Sequence, residues 1–110
     1  MKILAIHHKT EPGTAATATV EIEGQVRTLP ATEGGDAANR HYTIHGLAVR
    51  YRTGTKIWPG HAMYWPASDH VNNVCGPQDH RARKHELRIV GFWCDIPEDY
   101  QSEHSSVRGR

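Results

Sequence analysis

The chain has few cysteines, no long hydrophobic run and almost no net charge. Its two cysteines, Cys75 and Cys94, allow at most one disulfide, and in a cytoplasmic protein both are expected to be reduced. No apolar run approaches the roughly 18 residues that a membrane-spanning helix requires. The net charge of +1 with neutral histidines predicts no strong non-specific attraction to nucleic acid or to membranes.

The N-terminal apolar stretch is also short. Residues 3–6 are too few for the hydrophobic region of a secretory signal, and no small-residue cleavage site follows them. We therefore expect a cytoplasmic protein with no membrane partner. A chain of 110 residues with 37% hydrophobic content fits one folded domain, which we place at residues 1–97. Residues 98–110 are acidic and then polar, which predicts a flexible tail.

Period-two alternation of apolar and polar residues dominates the sequence. Ala18, Val20 and Ile22 alternate with polar residues, which predicts a strand with one buried face. After Glu23-Gly24-Gln25 the alternation resumes, so we expect a hairpin with a three-residue loop. In that register Ile22 lies opposite Val26, which pairs apolar with apolar side chains.

The segment from Tyr42 to Tyr51 is also β in character. It is either a hairpin with a two-residue turn at His45-Gly46 or one long strand in which Gly46 marks a bulge. Further on, Trp58-Pro59-Gly60-His61 predicts a turn, since proline and glycine suit its second and third positions.

The later segments complete the fold prediction. Residues 68–74, with Ser68 as a cap, and residues 78–85 each allow a short helix. Residues 87–96 are apolar on both faces apart from Arg88 and Asp95 and predict a central strand. We therefore predict a mainly β fold, or α+β with short helices. Its core is one small antiparallel sheet of about five to seven strands, arranged as a rolled barrel or a sandwich.

An asymmetry of charge lies beneath the small net charge. From Ala37 to Ser68 there is no aspartate or glutamate, and cations alternate there with aromatic residues. Such a surface suits single-stranded nucleic acid, because cations follow phosphates while rings stack on bases, or an acidic protein partner. The predicted binding residues of this stretch are Arg50, Arg52, Lys56, Tyr51, Trp58 and Trp65. A second basic run adds Arg81, Arg83 and Lys84.

Nine histidines raise the alternative of a metal site. Imidazole is the commonest protein ligand for transition metals, and thiolates also bind zinc. Four candidate ligands recur every five residues, a spacing that matches neither one helix face nor a zinc knuckle. They are His70, Cys75, His80 and His85.

Residues 69–84 resemble a shortened HNH nuclease finger. They contain Asp69-His70, then Asn73, a cysteine-containing turn, and His80. The resemblance implies His70 as the general base, Asn73 as a positioning residue and His80 as a ligand of a divalent metal, zinc or magnesium. The segment departs from the family in lacking the long loop after Asp-His and the paired Cys-x-x-Cys, and its Cys-to-His spacing is one residue too long.

Two functional classes therefore follow from the sequence. The first, which we favour, is a small non-enzymatic binding or regulatory domain without a cofactor. Its basic and aromatic surface contacts nucleic acid or an acidic protein. The alternative is a small metal-binding protein, or a degenerate nuclease, centred on residues 69–85.

Overall fold

Antiparallel strands build the part of the chain that the structure describes. The computed structural model describes residues 1–8, 16–76 and 87–97. Its strands are β1 (Lys2–His7), β2 (Ala16–Ile22), β3 (Gln25–Gly34), β4 (His41–Tyr51), β5 (Ile57–Trp65), β6 (His70–Cys75) and β7 (Leu87–Phe92). They take up 69% of these residues and no α-helix occurs among them, so the mainly β prediction is confirmed. Nor does any described residue belong to a helix that is long and apolar enough to cross a membrane.

The strands form one sheet that curls into a half-barrel. They follow the order β1-β2-β3-β4-β5-β6, and β7 pairs with β4 outside this path. Two strands pair with the same edge of β4, one after the other along its length. Ala31 of β3 pairs with Ile44, and Phe92 of β7 pairs with Leu47. The change of partner coincides with Gly46, which has φ +84° and interrupts the register of β4 with β5. The segment is therefore the long bulged strand, not the hairpin.

The β2–β3 hairpin has a tighter turn than the sequence predicted. Glu23 and Gly24 both have positive φ, 49° and 84°, which is the conformation of a two-residue type I′ turn. Ile22 consequently pairs with Gln25, and Val26 pairs with Glu21 instead of Ile22. The one-residue slip reverses the faces of β3 near the turn, so Val26 is 46% exposed.

The same slip places a charged residue on the core side of the sheet. Arg27 lies opposite the fully buried Val20. Its guanidinium extends over the ring of Phe92, with Cζ 5.7 Å from the ring centroid, and donates to Asp95 Oδ1 at 3.1 Å. The hydrogen bond and charge of Asp95 raise the pKa of Arg27. Arg27 thus links the hairpin to the end of β7.

Two predictions for the segments around β5 are wrong. Residues 58–61 do not turn, because β5 continues through them, with Pro59 opposite Ala48. Pro59 is tolerated since β6 pairs with β5 only from His61 onward, which leaves that edge without a partner strand in the described chain. Residues 68–74 are not helical either. The turn from Trp65 to Asp69 is closed by backbone hydrogen bonds, and β6 follows it. The helix predicted at 78–85 lies outside the described residues, as does the tail at 98–110.

The prediction for residues 87–96 is only partly correct. β7 ends at Phe92, a 3-10 turn covers Trp93–Asp95, and Cys94 is exposed. Within the described chain β7 pairs with β4 alone, so it is not a central strand. An extra residue at Val90 shifts the register between the two strands. This bulge accounts for consecutive apolar residues without two covered faces.

The hydrophobic core lies on the concave face of the half-barrel. Side chains from β2, β3, β4 and β5 alternate into it, and β7 contributes one aromatic ring. Among the described residues no polar or charged residue is fully buried. Each large core side chain stabilises the fold by about 1.5–3 kcal/mol. The largest fully buried side chains are Phe92, Ile44, Leu47, Val20 and Val49.

The bulge in β4 gives a direct test of this architecture. A Cβ at Gly46 would adopt a strained positive φ and would lie 3.3 Å from Leu29 Cδ2. We expect Gly46→Ala to lower the free energy of unfolding by about 1 kcal/mol or more, measured by urea denaturation. Gly24→Asn is the control, because asparagine tolerates this φ and no atom lies within 4 Å of the new Cβ. Equal stabilities of wild type and Gly46→Ala would contradict the bulge.

Candidate cationic binding surface

The β4–β5 connection brings the predicted cations of the acid-free stretch together. Arg50 is the penultimate residue of β4 and pairs with Ile57, the first residue of β5. Between these strands the chain turns through residues 52–56, closed by a hydrogen bond from Gly54 N to Tyr51 O at 3.1 Å. Arg52 and Lys56 belong to this connection and are exposed. Arg50, Arg52 and Lys56 therefore lie at one end of the sheet.

A fourth cation, missed by the sequence analysis, completes this group. Arg88 of β7 lies directly opposite Arg50 of β4 and is exposed. Directly opposed residues share a face, and like charges in that position destabilise a sheet. The sequence signal was that Arg88 interrupts an apolar segment, which did not reveal its partner strand. We call Arg50, Arg52, Lys56 and Arg88 the cationic surface.

Carboxylates do not neutralise the cationic surface within the described residues. The ion pairs found there are His8–Glu33 (3.9 Å), Arg27–Asp95 (3.1 Å) and Arg40–Glu33 (3.1 Å). None of them includes a member of the cationic surface. The Nε of Arg50 is moreover buried without a hydrogen-bond partner, an arrangement that costs about 1–3 kcal/mol. The surface therefore has cations that no described carboxylate neutralises.

None of the predicted aromatic residues lies beside the opposed arginines on their face of the sheet. Tyr51 alternates with Arg50 and so points to the concave side, where it meets Trp58 edge to face with centroids 5.5 Å apart. Trp58 also packs against the core. Trp65 is at the far end of β5, on the order of 25 Å along the strand from Ile57. Its ring packs against that of His41, with the ring centroids 4.6 Å apart. The predicted aromatic and cationic residues therefore do not form one continuous surface.

The predicted metal ligands are also separated where they are described. His70 begins β6 and Cys75 ends it, so their Cα atoms are roughly 15 Å apart. That distance is too long for one ion to bind both side chains. His80 and His85 lie outside the described residues, as do Arg81, Arg83 and Lys84. In the described ranges, no three histidine, cysteine, aspartate or glutamate side chains converge on a possible metal position.

The described residues of the nuclease-like segment make hydrogen bonds to side chains of β5. Asp69 accepts a hydrogen bond from the hydroxyl of Tyr64 at 2.9 Å. Burial, and then this bond, raise the pKa of Tyr64. Asn73 adopts φ 53° and its Nδ2 donates to Met63 Sδ at 3.2 Å. Asp69 and Asn73 are thus bound to β5, while His70 is exposed at the start of β6. His80 lies outside the described residues, and the nuclease assignment stays a prediction.

Comparison with known proteins gives no independent assignment. No protein-family model, no curated protein and no solved structure matches this chain.

Repulsion across the β4–β7 pair can be measured as a stability effect. Arg88→Glu replaces two opposed cations with an ion pair, so we expect the free energy of unfolding to rise by about 0.2–1 kcal/mol. The gain, measured by urea denaturation, should shrink as salt screens the charges. Arg40→Glu is the control, because it breaks the ion pair with Glu33 and should not stabilise the protein. Destabilisation by Arg88→Glu would contradict the pairing.

Proposed function

We propose that this protein is a non-enzymatic binding domain whose cationic surface binds an acidic segment of a partner protein. The observation that carries the proposal is the opposition of Arg50 and Arg88 across two paired strands. The fold holds two like charges together with no described carboxylate to offset them. An acidic partner would relieve this repulsion as well as gain its own contacts.

The chemistry of the four cations supports a carboxylate ligand. Arginine presents a planar fork of donors that matches a carboxylate in a bidentate geometry, and three of the four cations are arginines. Arg52 and Lys56 lie on the exposed β4–β5 connection, where they are accessible to an extended acidic segment. Opposite potentials of this kind also accelerate association, and the acceleration falls with ionic strength.

The placement of the rings favours an acidic protein over single-stranded nucleic acid. Binding of unpaired bases requires rings that are free to stack beside the phosphate-binding cations. Tyr51 and Trp58 pack against each other on the concave side, and Trp65 is at the opposite end of β5. The cationic surface therefore supplies charge without a ring beside it on which a base could stack. Nucleic acid remains the outcome that the experiment below must distinguish.

A titration with a short fluorescent poly-glutamate peptide tests this function. We expect Arg50→Ala/Arg52→Ala to weaken peptide binding by roughly tenfold or more, since each lost contact to a charged group is worth about 1 kcal/mol or more. Binding should also become less sensitive to salt. Fluorescence anisotropy gives the affinities. Circular dichroism should show an unchanged fold, because Arg52 is exposed and the loss of Arg50 removes a buried donor without a partner and the repulsion with Arg88.

The matched control removes the same charge elsewhere. Lys2→Ala/Arg40→Ala takes two cations from residues outside the cationic surface, and it should leave the affinity for the peptide within about twofold. An equal effect of the two double variants would reduce the binding to net charge and overturn the proposal. Salt-sensitive binding of a single-stranded oligonucleotide but not of the peptide would assign the surface to nucleic acid instead.

A further inference from the structure

The convex face of the sheet carries a pair of directly opposed histidines. His45 of β4 and His61 of β5 are register partners. Their sequence neighbours Ile44 and Ala62 are fully buried in the core, so both imidazoles belong to the opposite face by alternation. Neither histidine is among the metal ligands predicted from the sequence, because only the pairing of β4 with β5 brings the two together.

The separation of the two rings suits a shared metal ion. Their centroids are 5.9 Å apart and their planes are inclined by 47°. A zinc ion binds imidazole nitrogen at about 2.0–2.1 Å in tetrahedral geometry, which places the centroids of two ligating rings roughly 5 Å apart. The rings must therefore approach by about 1 Å or less for one ion to bind both.

A neighbouring threonine already orients one of the rings. Nε2 of His45 is 3.0 Å from the hydroxyl oxygen of Thr32 on β3. Metal-binding histidines commonly donate their second ring N–H to such an acceptor, which fixes the tautomer and strengthens the ligand. With Nε2–H donated to Thr32, Nδ1 of His45 is the nitrogen available for a metal ion.

We propose that His45 and His61 form a two-point chelate for a borderline divalent transition metal such as Zn²⁺ or Ni²⁺. Water completes the coordination, in keeping with the lack of a converging set of three ligands in the described residues. Cys75 lies opposite His61 on β6, but its thiol is directed to the carbonyl oxygen of Asn73 at 3.4 Å and is not a ligand. This site is independent of the cationic surface.

Metal titrations of the whole protein test the chelate. Zn²⁺ should raise the melting temperature of the wild type, because a ligand that binds the folded state stabilises it. Mg²⁺ at the same concentration should not, since it prefers oxygen ligands. Calorimetric titration with Zn²⁺ should show that His45→Ala and His61→Ala each weaken binding by at least tenfold. Cys75→Ser should leave the affinity unchanged.

His7 provides the matched control. Like His45 it is hydrogen-bonded to a threonine, with Nε2 2.9 Å from Thr19 Oγ1. It is paired in register with Thr17 and not with a second histidine. His7→Ala should bind Zn²⁺ like the wild type. Equal Zn²⁺ affinities of wild type, His45→Ala and His61→Ala would overturn the proposal, and so would loss of binding in Cys75→Ser alone.

A measurement without substitutions covers the case in which a variant fails to fold. Diethyl pyrocarbonate modifies accessible imidazoles, and mass spectrometry locates the modified histidines. Zn²⁺ should protect His45 and His61 while leaving His7 reactive. Protection of neither ring of the pair at a Zn²⁺ concentration that shifts the melting temperature would overturn the chelate.

Discussion

The change of partner along one edge of β4 is the constraint on which the rest of the structure depends. Before Gly46 this edge pairs with β3, and after it the edge pairs with β7. A positive φ at Gly46 makes the change possible, because the bulge bends β4 and increases its twist. Phe92 enters the core through this second pairing, and Arg27 extends over its ring from the hairpin. The half-barrel is therefore held together around a single strand.

The same strand positions both proposed sites. Two residues that flank the bulge region, His45 and Arg50, face the convex side and have like partners across the sheet. His45 lies opposite His61 on β5, and Arg50 lies opposite Arg88 on β7. One opposition gathers imidazole nitrogens, which favours a metal ion, whereas the other gathers positive charge, which favours an anion. Different chemistry thus follows from the same cross-strand geometry.

Local pattern explains how much of the fold could be predicted. Ala18, Val20 and Ile22 alternate with polar residues, and each of the three is buried on one face of β2. The exposure of Val26 could not be predicted in this way, because it depends on whether the turn contains two residues or three. The pairing of Ile22 with Val26 favoured the longer loop, whereas positive φ at Glu23 and Gly24 gives the two-residue type I′ turn. Pro59 and Gly60 likewise resemble a turn, and only the end of pairing with β6 makes them compatible with a strand.

For the sites, sequence alone established which chemical groups are present, and the tertiary structure decided which of them meet. The absence of carboxylates between Ala37 and Ser68 and the count of nine histidines are properties of the sequence. The first property identified Arg50, Arg52 and Lys56 as a group, and a short connection keeps these sequence neighbours together. The partners Arg88 and His61 come from other strands, and their pairing depends on register. Register is fixed by turns, bulges and burial over the whole sheet, so no local stretch of sequence contains it.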